Sequence, residues 1–402
     1  MKKQLLILGG GFAGFWSAMS AIRQSRELKK RESIEITLVN PDNSVTIHPT
    51  PKDQSLEGYW FSLDRYLKPS GIHQIYGRAE RIDPDGCSVT IQTADRTILF
   101  EYDYLILSTG VSLHLPNVQG IGFSFKVDSY SNAQRLGDHL IELAKSGFSG
   151  TGSNTIVIVG SEFAGLETVT GIAQKVQAIQ AYYSGKVSSF KIILLENEPK
   201  VGFRFSENCR KYILDVLAYK DIEIVLNAKI QEIKESSVHL TDGTEISSRT
   251  IIWTKGLLAS SLTNFFKGER DDLNRLRVDQ FLKLPEYGNV IAAGNVANSS
   301  SERKRSTLMD CQFAQFEGRW AGHNAINDLF KVPMKKYVHP DYITCPELED
   351  LETEKFNDIG QQVKGQRYNP GAIERDLNRT SIFPWRDVEA TIKASYPEFI
   401  VS

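Results

Sequence analysis

The sequence of 402 residues lacks the features that mark membrane-spanning and nucleic-acid-binding proteins. No apolar run approaches the roughly 20 residues that a membrane-spanning helix needs. The 47 basic and 49 acidic residues nearly cancel, so the positive charge of a dedicated nucleic-acid binder is missing. The first apolar run is broken by Gly9 to Gly11 and makes a poor signal peptide. The composition is therefore typical of a soluble globular protein of the size of an enzyme, with the cytoplasm as its expected location.

Paired thiols and metal-binding clusters are also missing from the sequence. The four cysteines are dispersed and form neither a CxxC pair nor a disulfide framework: Cys87, Cys209, Cys311 and Cys345. The seven histidines have no acidic partner at metal-ligand spacing. A relay of electrons through two neighbouring thiols is therefore excluded, no metal site is predicted, and a reducing compartment is expected.

What the chain does contain is a glycine-rich turn between a strand and a helix. The motif Gly9-x-Gly11-x-x-Gly14 follows a buried strand predicted for residues 3–8 and opens a helix predicted for residues 15–28. Gly9 permits a tight turn, and Gly11 lets the backbone approach a pyrophosphate. Gly14 allows the helix to pack closely on the strand. Because phosphates bind at helix N-termini, the unit predicts a dinucleotide site.

The same plan recurs after residues 146–153, a Gly/Ser-rich segment that is typical of a linker. A strand precedes Gly160, and a helix predicted for residues 166–176 follows Gly165. Glu162 stands where the middle glycine of the motif is expected, and its side chain would fill the space that a pyrophosphate approaches. The chain is thus an internal duplication of one dinucleotide-binding plan, with the second phosphate loop altered.

The residue that ends the second strand of each unit also differs between the two halves. In the first half it is Asn40, an amide that can still hydrogen-bond a ribose hydroxyl; Asp42 is a less plausible substitute by position. In the second half it is Glu196, whose carboxylate would accept from an adenosine ribose 2′-hydroxyl and repel a 2′-phosphate. The second half is therefore predicted to prefer NADH, or to be a relict kept for packing.

The remaining segments complete the two halves. Residues 75–100 and 222–252 alternate like small antiparallel meanders. A last strand over residues 289–293 leads into a helix predicted for residues 309–330. Residues 331–402 form a separate tail that is rich in charge and aromatic residues.

The ordered motifs resemble two-dinucleotide-domain flavoproteins of the pyridine nucleotide–disulfide reductase superfamily. The chain is most similar to the branch of the type II NADH:quinone oxidoreductases, or NADH dehydrogenases. The motifs that carry the resemblance are, in order, Gly9 to Gly14, Tyr104 to Gly110, Gly160 to Glu167, Trp253 to Gly256, and Ala292 to Asn295.

The resemblance implies an α/β fold with two Rossmann-like dinucleotide-binding domains, as in glutathione-reductase-like FAD/NAD(P) proteins, and a C-terminal tail region. Residues 1–150 and 259–330 would form the FAD-binding domain, residues 151–258 an inserted NAD(P)-binding-like domain, and residues 331–402 the C-terminal region.

The resemblance also implies roles for individual residues. The residues expected to hold FAD are Gly9, Gly11, Gly14, Asn40, Thr109, Gly110, Gly294 and Asn295, the last in place of the family's Asp. The residues expected to place NADH are Gly160, Gly165 and Glu196, with Glu167 as the catalytic residue near the reacting ring. The family's quinone-facing helix corresponds to the segment of Gln312 and Phe316, where Phe316 replaces the family's second Gln.

Three functions follow as hypotheses. The first is an FAD-dependent oxidoreductase that moves hydride from NADH to flavin and passes the electrons to a quinone or another small organic acceptor. The second, motivated by Glu162, is a flavin-dependent oxidase or tailoring enzyme whose substrate reduces FAD directly, with a degenerate NAD site. The third, motivated by Asn40, Glu162 and Asn295 together, is a redox-idle flavin-binding structural or interaction protein.

The tail and the oligomeric state are less defined by the sequence. Family members often dock on membranes through amphipathic C-terminal helices, which need a basic face beside aromatic residues. Here acids are interleaved, as in the run at residues 347–354, so a soluble or capping tail is favoured over membrane docking. The expected partner is a small molecule and no nucleic acid, and a homodimer is one candidate assembly.

Overall fold

A computed structural model describes most of the chain, and the structural statements below refer to these residues: 2–46, 60–127, 130–146, 150–183, 190–203, 205, 207–299, 311–338, 353–356, 362–368, 384 and 387–398. The helices in chain order are α1 (Phe12–Glu27), α2 (Asp64–Leu67), α3 (Tyr130–Lys145), α4 (Phe163–Tyr182), α5 (Glu207–Tyr219), α6 (Cys311–Leu329) and α7 (Val388–Ala394).

The strands in chain order are β1 (Lys3–Leu8), β2 (Ile34–Asn40), β3 (Ser44–Thr46), β4 (Trp60–Ser62), β5 (His73–Asp83), β6 (Ser88–Thr93), β7 (Thr97–Glu101), β8 (Tyr104–Leu107), β9 (Val111–Leu113), β10 (Thr155–Val159), β11 (Lys191–Leu195), β12 (Ile222–Val225), β13 (Ile230–Lys234), β14 (Ser237–Leu240), β15 (Glu245–Ser247), β16 (Thr250–Trp253), β17 (Leu257–Ala259), β18 (Leu276–Arg277), β19 (Val290–Ala292), β20 (Ala297–Asn298), β21 (Thr353–Phe356) and β22 (Gln362–Tyr368).

The largest sheet has seven strands in the order β19-β8-β1-β2-β5-β6-β7. Its centre is parallel, with β1 pairing with β2 on one side and with β8 on the other. Leu5 to Leu8 are fully buried, as expected for a parallel strand covered on both faces. Strand β19 joins β8 although some 180 residues of chain separate them, so the polypeptide leaves this sheet and returns to it.

A second parallel sheet has the order β12-β11-β10-β16. Val159, the last residue of β10, is in register with Leu195 of β11 and with Trp253 of β16. The carboxyl ends of these three strands therefore lie side by side. The mixed first sheet and the parallel second sheet each have a glycine turn and a helix after a central parallel strand, which confirms the predicted α/β fold with two Rossmann-like units.

Helices α1 and α6 pack against each other at unusually close range because two glycines of α6 face the backbone of α1. A Cβ on Gly318 would lie 2.3 Å from the carbonyl oxygen of Ala13, and one on Gly322 would lie 2.1 Å from that of Ser17. This contact fixes α6 directly above the first glycine turn.

Several elements differ from the sequence-based expectation. Helices α1 and α4 begin three residues earlier than predicted, because each starts directly after the residue that caps the glycine turn. In the block predicted as a second meander, β12 instead extends the parallel sheet and only β13 to β15 are antiparallel. The described part of the predicted linker is a packed turn in which Ser153 is fully buried. The first meander is confirmed.

Part of the C-terminal region packs back on the first unit. Helix α7 lies against α1, where Arg26 pairs with Glu389 across 2.8 Å. Lys335 donates a hydrogen bond of 2.7 Å to the hydroxyl of Tyr396. The acidic run at residues 347–352 and the aromatic residues Phe383 and Trp385 lie outside the described residues. In the parts of the chain that the structure describes, no helix combines the length and apolar character required to cross a membrane.

Candidate functional site

The first glycine turn is built so that only glycine fits at two of its positions. Gly9 has a φ of +94°, and a Cβ there would lie 2.4 Å from the carbonyl oxygen of Ser108. A Cβ on Gly14 would lie 1.8 Å from the carbonyl oxygen of Gly9. At Gly11, in contrast, a Cβ would meet nothing within 4 Å. The backbone at the start of α1 therefore faces open space, where its free N–H groups can bind an anion.

The end of β8 lies beside this turn and contributes two hydroxyl groups, those of Ser108 and Thr109. Ser108 ties the two strands together, since its Oγ donates to the carbonyl oxygen of Leu8 at 2.8 Å. The next residue, Thr109, has a buried Oγ1 that finds no hydrogen-bond partner among the described residues. A buried hydroxyl of this kind needs a partner from outside the chain, such as a bound ligand. Gly110 follows with a φ of +65°.

The end of β19 completes the first site. Gly294 has a φ of +73°, and a Cβ there would lie 2.8 Å from Cβ of Ala13 in α1. The Gly294 N–H donates to Oε2 of Glu317 at 2.6 Å, and Ser299 also hydrogen-bonds this carboxyl. Asn295 comes directly after Gly294 and is half-buried. Three loops, from β1, β8 and β19, thus converge at one edge of the first sheet.

Glu317 is a buried carboxyl of this site that the sequence did not reveal. Its side chain is almost completely buried on α6. Burial raises its pKa to about 7, although the hydrogen bonds from Ser299 and Gly294 favour the ionised form. The group therefore titrates close to neutrality. The only sequence signal was an acid inside a helix that was otherwise predicted to pack closely.

Asn40 lies where the sequence places it, at the end of β2, but its amide holds the turn itself. Oδ1 accepts from the backbone N–H of Gly10 at 2.8 Å, and Nδ2 donates to the carbonyl oxygen of Asp42 at 3.0 Å. Oδ1 of Asp42 accepts from the Ser44 N–H at 3.0 Å. The ribose contact predicted for Asn40 remains a prediction.

These residues fit an FAD molecule at the first site. The space at Gly11 suits a pyrophosphate at a helix N-terminus, and Oγ1 of Thr109, which has no hydrogen-bond partner among the residues described, can bond a ligand. The three converging loops lie at the carboxyl edge of parallel strands, where α/β sheets bind their ligands.

The second glycine turn copies the backbone of the first. Gly160 has a φ of +110°, and a Cβ on Gly165 would lie 2.0 Å from the carbonyl oxygen of Gly160. The cap residue Glu162 has φ −78° and ψ −177°, against −66° and −169° for Gly11. Glu162 therefore occupies its position without backbone strain, and its half-buried side chain stands where the first turn is open.

Glu196 directly follows β11, where the sequence places it, and its carboxylate accepts four hydrogen bonds from the protein. The side chain is fully buried. Oε2 accepts from Ser161 twice, from the N–H at 2.8 Å and from Oγ at 2.7 Å. Oε1 accepts from the Glu198 N–H at 3.1 Å and from Nζ of Lys255 at 2.8 Å. Burial opposes ionisation, but these hydrogen bonds outweigh it and lower the pKa of Glu196.

Lys255 is a residue of the second site that sequence reasoning missed. It follows β16, and a Cβ on Gly160 would lie 2.4 Å from its Cγ. Its side chain therefore runs across the second glycine turn to reach Glu196. Nζ also hydrogen-bonds Oδ1 of Asn197. The motif Trp253 to Gly256 marked this loop in the sequence, but the reach of the lysine across two strand ends depends on the register of the sheet.

The predicted catalytic and acceptor residues lie on two helices. Glu167 is half-buried in the second turn of α4. Phe316 is half-buried on α6, with the Arg319 guanidinium 5.5 Å from its ring centre. The same guanidinium stacks 4.3 Å from the ring centre of Trp16, and burial lowers its pKa to about 10. Gln312 lies in the first turn of α6.

The described residues contain neither a candidate metal-binding cluster nor a disulfide. Among them no group of three His, Cys, Asp or Glu side chains could hold a metal ion. Cys87 and Cys311 form no disulfide within the described part of the chain.

The chain is similar in sequence to known oxidoreductases that bind pyridine nucleotides. A family model described as pyridine nucleotide-disulphide oxidoreductase matches residues 3–318. A NADH dehydrogenase-like protein of Mycobacterium tuberculosis is 28% identical over 383 residues, which cover 95% of this chain and 94% of the relative. A type II NADH:quinone oxidoreductase of Staphylococcus saprophyticus is 21% identical and covers 85% of this chain and 86% of the relative.

Solved structures share the fold. The NDH2 of Plasmodium falciparum, solved in complex with NADH, has a TM-score of 0.75 at 14% identity and covers 100% of both chains. The sulfide:quinone oxidoreductase of Aquifex aeolicus has a TM-score of 0.63 at 18% identity, covering 82% of this chain and 78% of that one.

Proposed function

Because the chain belongs to the pyridine nucleotide-disulphide oxidoreductase family, we propose that it transfers electrons from NADH through bound FAD to a quinone. The chain is an oxidoreductase that depends on FAD and NAD(P)H, and its cofactors are FAD and NADH. When bound, FAD supplies the hydride chemistry, while the protein supplies binding and orientation. The observation that carries the proposal is one turn geometry repeated after a central parallel strand in each of two sheets.

In this proposal the two glycine turns belong to two domains, one of which binds FAD and the other NADH. Residues 1–150 and 259–330 form the FAD-binding domain, since β19 pairs with β8. Residues 151–258 form the inserted NADH domain, since β10, β11 and β16 pair with one another. Residues 331–402 form the C-terminal region, part of which covers α1.

Each turn holds the phosphates of its own dinucleotide. In the first domain the open backbone at Gly11 receives the FAD pyrophosphate, Thr109 donates to the ligand through Oγ1, and Asn295 hydrogen-bonds the sugar-like chain of the flavin. In the second domain Gly160 and Gly165 keep the turn tight for NADH. Their backbone positions support these roles because no side chain fits at either glycine.

Glu167 is the proposed catalytic residue, a role that comes from the family resemblance and from its place one turn into α4. Its carboxylate would orient the nicotinamide near the flavin. Glu167→Gln should slow flavin reduction by NADH about tenfold or more while FAD content stays unchanged. Glu142→Gln, on the exposed face of α3, is the matched control. Equal reduction rates in the two variants would remove Glu167 from the site.

The acceptor is proposed to bind along α6 beside Gln312 and Phe316. This assignment rests on the relatives named NADH:quinone oxidoreductases and on the half-buried ring of Phe316 close to the first site. The buried guanidinium group of Arg319 lies behind the ring of Phe316 and adds positive charge to this side of α6. An aromatic ring backed by a cation favours a flat acceptor that gains negative charge when it is reduced, as a quinone does.

The acceptor is tested by steady-state quinone reduction with NADH in excess. Phe316→Ala should raise the KM for a short-chain quinone about tenfold, because loss of an aromatic contact costs about 1.5 kcal/mol. Anaerobic flavin reduction by NADH should not change. Tyr219→Ala, which removes an exposed ring on α5, is the control. Absence of quinone turnover in the wild type would reject the acceptor while leaving the NADH step intact.

One observation favours a second candidate, a flavin-dependent oxidase whose organic substrate reduces FAD directly. The second turn carries Glu162 at the open position and Lys255 across Gly160, both in the path of a dinucleotide. In this case NADH would leave the flavin oxidised under anaerobic conditions, whereas a member of a panel of amines, thiols and hydroxy acids would reduce it.

A further inference from the structure

The edge of the second sheet is a narrow shelf made by three strand ends. The ends of β11, β10 and β16 lie side by side, since Val159 is in register with Leu195 and with Trp253. Neighbouring strands lie about 4.8 Å apart. A dinucleotide on a Rossmann-like sheet crosses this edge, with the adenosine ribose at the end of the second strand. The end of β11 is therefore the ribose position.

Lys255 spans this shelf in the same direction as the dinucleotide would. It starts after β16, passes over Gly160 of the central turn, and ends with Nζ 2.8 Å from Oε1 of Glu196 at the end of β11. The lysine side chain is 25% exposed, whereas that of Glu196 is 0% exposed. The ammonium group therefore covers the carboxylate and faces an incoming ribose first.

Both oxygens of the Glu196 carboxylate already accept hydrogen bonds from the protein, which leaves little capacity to accept one from a ribose hydroxyl. Ser161 supplies two hydrogen bonds to Oε2, and Glu198 supplies one to Oε1 beside that from Lys255. A bare carboxylate at this position repels a 2′-phosphate, which is how Rossmann-like sites reject NADPH. Here a positive charge lies within hydrogen-bonding distance of that carboxylate and nearer to solvent, so it attracts the phosphate that the carboxylate repels.

We propose that Lys255 is a specificity-determining residue that cancels the rejection of a 2′-phosphate by Glu196, so that the site accepts NADPH as well as NADH. The inference rests on the proposed function, in which the second glycine turn binds the nicotinamide dinucleotide. It changes what the sequence predicts, since Glu196 at the end of the second strand indicates selection for NADH. The difference arises from one lysine 59 residues further along the chain.

The test compares two fragments that differ only in the 2′-phosphate. Adenosine 5′-monophosphate and adenosine 2′,5′-bisphosphate are titrated calorimetrically into the FAD-loaded protein. In the wild type the two dissociation constants should differ by less than about tenfold. In Lys255→Met the binding of the bisphosphate should weaken by at least about fivefold relative to that of the monophosphate. The reason is that the carboxylate of Glu196, no longer compensated by the ammonium group, faces the 2′-phosphate.

Three variants control this comparison. Lys255→Arg keeps the charge and should keep the wild-type ratio. Lys255→Gln removes the charge but keeps a hydrogen-bond donor for Glu196; it should behave like Lys255→Met and replaces it if that variant does not fold. Lys191→Met breaks a similar ion pair of 2.7 Å with Glu223 at the opposite end of β11, and it should change neither constant.

The outcomes separate this inference from the proposed function. The role of Lys255 would be overturned if the wild type bound the bisphosphate more than about tenfold more weakly than the monophosphate. It would also be overturned if both neutral variants changed this ratio of dissociation constants by less than about fivefold. If NADH still bleached the flavin, the proposed function would stand. Absence of binding by either fragment, together with a flavin that NADH leaves oxidised, would overturn both.

Discussion

The two glycine turns share a backbone and differ in what surrounds it. Gly11 and Glu162 cap their helices with nearly the same φ and ψ, yet the first position is open and the second carries an acidic side chain. The first turn is braced by a neutral amide, Asn40, and the second by a charged pair, Glu196 with Lys255. The comparison shows that the backbone geometry of such a turn persists while its electrostatics change, which suits a tightly held cofactor on one side and an exchanging one on the other.

The largest expected effect comes from closing either turn with one methyl group. Gly14→Ala places a Cβ 1.8 Å, and Gly165→Ala one 2.0 Å, from a backbone carbonyl oxygen. Each should cost about 4 kcal/mol or more locally, because backbone cannot move aside as a side chain can. Gly14→Ala should purify colourless. Gly165→Ala should purify yellow but resist reduction by NADH.

Absorption spectra and circular dichroism of both variants check this division. A colourless Gly165→Ala protein with native circular dichroism, or a yellow Gly14→Ala protein, would show that the two turns do not serve separate ligands.

The buried carboxyl groups of Glu317, in the first unit, and Glu196, in the second, should make opposite contributions to the pH dependence of the free energy of unfolding. The pKa of Glu317 is raised to about 7 from an ordinary 4.5, so its stabilising contribution is full below pH 4.5 and is lost as the pH rises through 7. The effect is about 3 kcal/mol. The pKa of Glu196 is lowered, so its contribution is present above the ordinary carboxyl pKa and is lost as the pH falls through the lowered value.

Urea unfolding from about pH 8 down to about pH 2, well below the ordinary carboxyl pKa, measures both slopes. Glu317→Gln should flatten the loss of stability toward neutral pH, since an amide can keep both hydrogen bonds. Glu196→Gln should flatten the loss toward acid. Parallel curves for wild type and Glu317→Gln would mean that Glu317 is not buried as described.

A smaller contrast separates two threonines that follow corresponding strands, Thr109 two residues after β8 and Thr254 directly after β16. Oγ1 of Thr109 has no hydrogen-bond partner in the described parts of the chain, whereas Oγ1 of Thr254 donates to the carbonyl oxygen of Val159 at 2.7 Å. Thr109→Val should weaken FAD binding about tenfold with no loss of apoprotein stability. Thr254→Val should cost about 1 kcal/mol of stability and leave FAD affinity unchanged. Fluorescence titration with FAD and urea unfolding distinguish them, and a reversed pattern would contradict the assignment of the first site.

The smallest effect is expected at the cap positions themselves. Glu162→Gly removes a carboxylate near the NADH phosphates and should lower the KM for NADH about threefold, as expected for one partly exposed charge. Steady-state kinetics with a fixed quinone measure it. A rise in NADH oxidation of about a hundredfold would instead show that the natural turn has lost NADH and would favour the direct-oxidase hypothesis.

The sequence predicts the strands and turns correctly because the patterns that indicate them lie within a few neighbouring residues. The glycines of both turns, the end of β8 and the first meander follow from patterns within a few residues. Helices α3 and α5 were missed although both carry an apolar face, since no turn motif marked where they begin. The bonds of Glu317 to Gly294 and of Lys255 to Glu196 join residues 23 and 59 positions apart. Such pairs depend on sheet register and helix crossing, which no local pattern specifies.

The most direct test of the two-turn account is an anaerobic titration of the purified wild-type protein with NADH, followed through the flavin absorption band. The account predicts yellow protein whose band bleaches completely at about one NADH per flavin, the stoichiometry of a single hydride transfer. Colourless protein that added FAD cannot reconstitute, or a band that NADH leaves unchanged, would contradict it.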